Sequence, residues 1–360
     1  MKVLFVTYGT SEAPATRYRV EQYFPYLHRD GVSYSCISMI SSFLTRTLIR
    51  SHSTGGLTRS LWILCEQMVG FFRVGLKAPW YDVIFFQRAV FPFGLERFIR
   101  ILNRNIVYDL DDAIYLPVEQ GKGFLRRMKG VFKRKQVEGI LRVSAHCICE
   151  NSYIKSFVEK FCPRVSIITG PIDAKRNFVQ IREREMGSLT IGWVGSPATS
   201  MYLDTVWRPL RDISKKYNIH VKLIGVRDYH IDGVNVISKD WSYETEVEEI
   251  QSFDIGVCPM PDDEWTRGKV SIKILQYMAN GVPMVASYTP TNEEIIRDGV
   301  DGFIAHSEKE WVEKLTILIV DPALRKKMGL MERKKAEEKY SLDVAASVFL
   351  RILEEVNGPS

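Results

Sequence analysis

No stretch of this sequence reaches the roughly 18–20 continuous apolar residues that a membrane-crossing helix needs. The opening MKVLFVTYGT carries one Lys and a short apolar run that ends in Tyr-Gly-Thr. It lacks the longer apolar region and small-residue cleavage site of a signal peptide, and reads as a buried first strand. The expected location is the cytoplasm. Cysteine is sparse: six residues, at 36, 65, 147, 149, 162 and 258, with no C-x-x-C pair. Cys147 and Cys149 alternate within AHCIC, which suits one face of a core strand better than a metal or redox site. The six histidines include no pair at metal-ligand spacing and no H-E-x-x-H. His146 lies on the same apparent strand and reads as packed. No metal site is expected, although Asp109-Leu110-Asp111 does spell Asp-x-Asp.

What is present fits a large soluble α/β protein. A chain of 360 residues, 46% hydrophobic and 26% charged, can form two cores of about 150–180 residues each. Residues 1–170 hold 24 Lys/Arg against 13 Asp/Glu, whereas the remainder holds 25 against 30. This asymmetry gives the first half a basic surface suited to a polyanionic partner. FLTRTLIR (43–50), SLWILCEQMVGFFRVGLK (60–77) and GFLRRMKGVFKRKQ (123–136) mix Arg and Lys with Leu, Phe, Trp and Met. Such basic amphipathic stretches suit an anionic membrane surface, or else core-packed helices with solvated basic faces. No nucleic-acid-binding motif accompanies the charge, so nucleic acid is not an expected partner.

Along the chain, short apolar runs alternate with helical segments, the pattern of parallel sheets with crossovers. KVLFVTY is followed by the loop GTSEAPAT and a helical stretch closing on Gly31; YDVIFFQ, NIVYDL and AHCICEN follow. The pattern breaks near ITGPID (168–173) and the charged REREMG (182–187), then restarts with LTIGWVG, SPATS and the helical YLDTVWRPLRDISKKY. Strands HVKLIG, FDIGVCP and VPMVASY come next. The organisation expected is two Rossmann-like domains, 1–170 and 171–340, with a final helix over 341–360. Ligands of open parallel sheets sit beyond the carboxyl ends of the strands, so the main site is expected in a cleft between two facing domains.

The chemistry concentrates in WTRGKVSIKILQYMANGVPMVAS (265–287). Ile272, Leu275, Tyr277, Met278 and Ala279 give a helix its apolar side, Asn280-Gly281 its left-handed stop, and Pro283 opens a strand. The helix start carries Arg267, Gly268, Lys269 and Ser271. Lys269 and Lys273 are four apart and share one face. Cations on a first turn oppose the helix dipole, whereas an anion there meets free N–H groups. An anionic ligand such as a diphosphate explains the mismatch better than surface solubility does. In the first half, Gly9 and Thr10 belong to the first loop, and Arg17 and Arg19 to the next helix. The two arginines suit a donor phosphate or an anionic acceptor, or else a pairing with Glu12 or Glu21. Three carboxylates crowd VYDLDDAIY, with alternation sending Asp109 and Asp111 to one side and Asp112 to the other. Such crowding needs solvation, pairing or use; capping of the next helix by Asp111 or Asp112 is the plain alternative.

KILQYMANGVPMVAS resembles the donor-binding helix of GT-B glycosyltransferases, in particular the retaining group called family 4. EEIIRDGVDGFIA (293–305) matches the segment that usually follows, and IGWVGSPAT (191–199) resembles the opening of the donor domain. With the final helix after YSLD, the resemblance covers nearly the whole chain. It implies two Rossmann-like domains in GT-B arrangement, an acceptor-binding first domain and a donor-binding second. It also implies hexosyl transfer from a nucleoside diphosphate sugar to a hydroxyl, with retention and without a cofactor or metal. The Asp-x-Asp metal motif belongs to the other major glycosyltransferase fold.

By the same resemblance, Gly195, Ser196, Arg267, Gly268, Lys269, Lys273, Gln276 and Glu294 fall at the donor. Gln276 stands where the family usually has a ribose-binding Glu, and Gly268 where its other Glu stands, so the Glu-x7-Glu pair is absent. Glu264 or Glu294 is placed to compensate. Asp111 takes the position of a family His near the reacting carbon, which makes Asp111 and Asp112, with Lys269, the candidate catalytic residues. The basic first half fits a saccharide or lipid-linked saccharide acceptor at the inner face of the plasma membrane, in polysaccharide or cell-envelope glycan assembly. A non-hydrolysing epimerase and a non-catalytic sugar-nucleotide-binding scaffold are the alternatives on this fold.

Overall fold

A computed structural model describes residues 1–50, 57–116, 124–176 and 188–358. REREMG, His52 and Gly123 lie outside the described residues, as do most of the stretch joining the two halves and the side chains of Arg50 and 124–127. The chain divides into two compact units, Met1–Pro171 with Ala345–Ser360, and Ile172–Val344.

The first unit is built on six parallel strands: β1 (Lys2–Thr7), β2 (Ser33–Ser38), β3 (Val83–Gln87), β4 (Ile106–Leu110), β5 (His146–Cys149) and β6 (Val165–Ile167), in the order β2-β1-β3-β4-β5-β6. Its helices are α1 (Pro14–Arg19), α2 (Phe24–Arg29), α3 (Ser42–Arg50), α4 (Leu57–Lys77), α5 (Glu96–Leu102), α6 (Phe124–Val143) and α7 (Ser152–Val158). β3, β4 and β5 are buried along their whole length, as strands covered on both faces must be. Cys147, Cys149 and His146 are core residues, and the His146 ring is 2.9 Å from the Ser166 hydroxyl. The helical stretch expected to run unbroken to Gly31 is instead interrupted at Val20 and resumes at Phe24, with Gly31 at φ +70°.

The second unit repeats the architecture with β7 (Leu189–Val194), β8 (Ile219–Ile224), β9 (Val236–Lys239), β10 (Ile255–Cys258), β11 (Met284–Ser287) and β12 (Phe303–Ala305), all parallel, in the order β12-β11-β10-β7-β8-β9. Helices α8 (Trp207–Ser214), α9 (Glu246–Gln251), α10 (Glu264–Arg267), α11 (Ile272–Ala279), α12 (Pro290–Ile295), α13 (Glu308–Val320) and α14 (Pro322–Lys335) surround them. A last helix, α15 (Leu342–Asn357), lies mostly in the first unit, where Phe349 stacks on Tyr23 at 4.4 Å and packs against Phe5 and Phe85.

Both sheets have a topological switch point, where successive strands leave in opposite directions. In the first unit it falls between β1 and β3, and in the second between β7 and β10. Crevices at such points are where open α/β sheets take their ligands.

Candidate functional site

In the second unit, the loop after β7 and the start of α11 meet at the switch point. Two glycines bring them together. A Cβ on Gly256 of β10 would fall 2.7 Å from the Tyr277 ring, so its absence seats α11 directly on the strand. The Tyr277 hydroxyl then donates to the Val257 carbonyl and accepts from the Val194 amide, both at 3.2 Å. At Gly195 a Cβ would fall 2.4 Å from the Trp193 indole, so glycine lets the loop cross that ring. The expected stop of α11 is present, with Gly281 at φ +63°.

The start of α11 has no side-chain cap and no acidic residue in its first turn. Two lysines stand there instead. Lys273 is only 7% exposed, with its ammonium 5.2 Å from the centre of the Trp193 ring. Burial, with Lys269 nearby, holds its pKa below the usual lysine value, and the Cys258 thiol opposes the shift only in part. Among the described residues, no carboxylate pairs with Lys269 or Lys273. A buried cation, a neighbouring cation and unfilled helix N–H groups give a pocket of positive potential that an anion would relieve.

The other expected donor residues separate into three kinds. Arg267 pairs with Asp262 at 2.7 Å, which takes its guanidinium for that carboxylate, while its carbonyl accepts from Thr291. Ser196 closes a turn with Thr199, and the Gly195 amide donates to the Ile224 carbonyl, so neither offers its N–H. Gly268 ends α10, while Glu264 and Glu294 are exposed. Gln276 is buried and donates to Glu246 at 2.8 Å. Trp241 donates to the same Glu246 oxygen at 2.6 Å, and the Arg176 guanidinium lies 3.6 Å from the other. A carboxylate is therefore present beside Gln276, supplied by α9 rather than α11. Sequence reasoning missed it because it stands 30 residues upstream.

In the first unit the arginines and carboxylates pair off. Arg19 is 3% exposed and makes a bidentate bond to Asp109, with a further bond of 2.7 Å to the Ile168 carbonyl. Burial opposes its charge, but Asp109 outweighs burial and raises its pKa. Neither Glu12 nor Glu21 is its partner. Arg17 bonds the carbonyls of Ser11 and Glu12. Thr10 is engaged by Thr45 and Glu12, and the Gly9 carbonyl accepts from Thr7 and Thr16.

Asp111 and Asp112 both bind Arg88, which alternation had not anticipated. The strand ends at Leu110, so the backbone turns before Asp111 and the two carboxylates converge. Neither carboxylate caps a helix: among the described residues the next one starts at Phe124. Arg88 itself sits at φ +53°, a conformation costly for a residue with a Cβ. The crowded carboxylates are thus neutralised by a half-buried cation held in a strained turn. Glu150, at the end of β5, joins the group, and burial pushes its carboxyl well above the ordinary range.

Residues 188–321 match the family model described as glycosyl transferases group 1. Spore coat protein SA of Bacillus subtilis is 26% identical over 105 residues, covering 28% of this chain and 27% of that relative, so the match spans about a quarter of each. Among solved structures, a glycosyltransferase from Rickettsia africae superimposes at TM-score 0.68 with 11% identity, over 100% of this chain and 99% of the other. Sucrose-phosphate synthase from Thermosynechococcus elongatus gives 0.71 with 12% identity, over 99% of each chain. Anabaena HepE, solved in complex with UDP-glucose, gives 0.66 with 13% identity, over 99% of this chain and 100% of HepE. Residues 188–321 are thus similar in sequence to the group 1 glycosyltransferases, and the whole chain shares the GT-B fold of these structures.

Proposed function

We propose that this glycosyltransferase moves a hexose from a nucleoside diphosphate donor, bound in the second unit, to a hydroxyl of an acceptor bound in the first, with retention. The observation that carries this reading is the Lys269–Lys273 couple, without a carboxylate partner among the described residues, at the uncapped start of α11. As the donor's glycosidic bond breaks, negative charge grows on the leaving diphosphate. Two fixed cations and the free N–H groups of the helix offset that charge without reorganising. Arg267, tied to Asp262, plays no direct part. Asp111, held by Arg88 together with Asp112, orients the acceptor hydroxyl or stabilises the oxocarbenium-like transition state.

The acceptor side supports a lipid-linked saccharide. Leu61, Trp62, Val69, Phe72 and Leu76 on α4, with Phe98 and Ile101 on α5, are exposed apolar side chains. Exposed Arg73, Lys77 and Arg97 stand among them. None of the described helices is long and apolar enough to cross a membrane. This mixture of apolar and basic groups suits the surface of an anionic bilayer, at the cytoplasmic face where cell-envelope glycans and polysaccharides are assembled.

A thermal-shift screen with UDP, GDP, ADP and TDP, with and without magnesium, tests the donor reading. UDP is the first choice because HepE was solved with it. Diphosphate at 100 times its dissociation constant stabilises by about 2.7 kcal/mol. If none of the four shifts the melting temperature, the reading fails. Co-sedimentation with phosphatidylglycerol vesicles tests the membrane face, and equal pelleting with neutral vesicles would remove the electrostatic part of it.

A further inference from the structure

The first unit also contains a lysine seated over an aromatic ring at its switch point. Lys133, on α6, places its ammonium 5.6 Å from the centre of the Tyr8 ring. Tyr8 directly follows β1, and its amide donates to the Gln87 carbonyl at the end of β3. The residue after Gln87 is Arg88. Lys133 therefore stands over the switch point between β1 and β3, where a parallel sheet takes its ligand.

Nothing described neutralises it. No residue three or four away from it along the helix is acidic. The nearest helical carboxylate, Glu138, pairs with Arg134 at 3.0 Å. Asp111 and Asp112 are turned to Arg88. Among the described residues, Lys133 has the Tyr8 ring below it and the Arg88 charge beside it, and no anion.

We propose that Lys133, seated over Tyr8, forms an anion site in the first unit that takes a phosphoryl group. It rests on the transferase reading only for the source of that phosphoryl group: a phosphate ester on the acceptor, or the diphosphate of the donor. The role assigned at first to Arg17 and Arg19 passes to Lys133, because Arg19 is committed to Asp109. In keeping with an unfilled anion site, burial and then Arg88 hold the Lys133 ammonium at a pKa of about 8. An incoming anion would restore its charge.

The test is trace acetylation of the full chain at pH 8, with each lysine quantified by peptide mass spectrometry. Inorganic phosphate, glycerol 1-phosphate and UDP are compared as protectants, and exposed Lys309 serves as the internal standard. We expect Lys133 to be protected at least about fivefold by glycerol 1-phosphate, even with UDP saturating, which assigns the site to an acceptor phosphate. Protection by UDP alone assigns it to the donor diphosphate. Protection by none of the three overturns the site.

Calorimetry with inorganic phosphate supplies the second measurement. Lys133→Arg should keep the affinity within about threefold and Lys133→Gln lose at least tenfold; equal binding by both variants also overturns the proposal. The melting shift with UDP in Lys133→Gln reports on Lys273 alone, so a failure of the donor reading is seen separately.

Discussion

The two units solve one problem, the placing of a lysine over an aromatic ring at the mouth of a parallel sheet, with different surroundings. In the second unit Lys273 sits over Trp193 with Lys269 beside it and no carboxylate. In the first, Lys133 sits over Tyr8 while four acidic residues, Asp109, Asp111, Asp112 and Glu150, gather beneath around Arg19 and Arg88. The second unit is thus built for a polyanion. The first combines one anion-seeking cation with neutralised carboxylates, as a site for an uncharged hydroxyl carried by a charged molecule would require. The two sheets differ in strand order, and each places its lysine at the mouth because the switch point defines that mouth.

The sharpest way to break this comparison is Lys273→Met. Turnover of the donor should fall about 10²–10³-fold, the scale of removing a preorganised charge stabiliser. Lys269→Ala should cost less, roughly tenfold. Unchanged turnover in both would mean that the second unit's cations do not meet the leaving group. The same Lys273→Met variant should melt slightly higher than the parent when no nucleotide is present. The buried ammonium is less stable in the fold than in the unfolded chain, so its charge is a liability at pH 7.

Next in size is the pairing beneath the first unit's site. Asp109→Ala leaves Arg19 buried and unpaired, and should lower stability by about 3–5 kcal/mol in urea titrations. A loss below about 1 kcal/mol would show that Arg19 reaches water. Gly195→Ala forces a methyl group into the Trp193 ring and should cost about 1–3 kcal/mol together with nucleotide affinity. An unaffected UDP shift in that variant would separate the loop from the donor.

The smallest effect expected is on pH. The free Lys133 amine carries its proton below about pH 8 and loses it above. Phosphate affinity should therefore decline through the range just above pH 8 rather than near the ordinary lysine value. The apo protein should gain stability over the same range, because the unfolded chain retains the proton longer. A flat phosphate affinity between pH 7 and 9.5 would place the Lys133 pKa elsewhere.

Much of the second unit was legible in the sequence. The stretch from Trp265 to Ser287 encodes its own start, stop and following strand, although only Lys273 lies on the helix, with Lys269 in the connection before it and not on a shared helix face. Periodicity and dipole arguments act over such short distances. Glu246 was not legible, since its meeting with Gln276 depends on how α9 packs against α11. The first unit was read less well. Alternation placed Asp111 beside Asp109, but the strand ended one residue too early for the rule to apply. The pairing of Arg19 with Asp109 spans 90 residues, and that of Arg88 with Asp111 spans 23. Lys133 lay within a stretch whose many basic residues hid the one that faces inward. What a residue contacts through the fold is set by topology, and a single sequence carries little trace of it.

The position of Phe349 has a consequence for biosynthesis. This ring on α15 fills the space between Tyr23, Phe5 and Phe85, all of which lie far ahead of it in the chain. The first unit is thus completed only after the whole second unit has been synthesised. At about 5–20 residues per second, its aromatic surface stays open for on the order of ten seconds or more after its last strand appears. A chain that stops before Ala345 would have a first unit without its closing side chain.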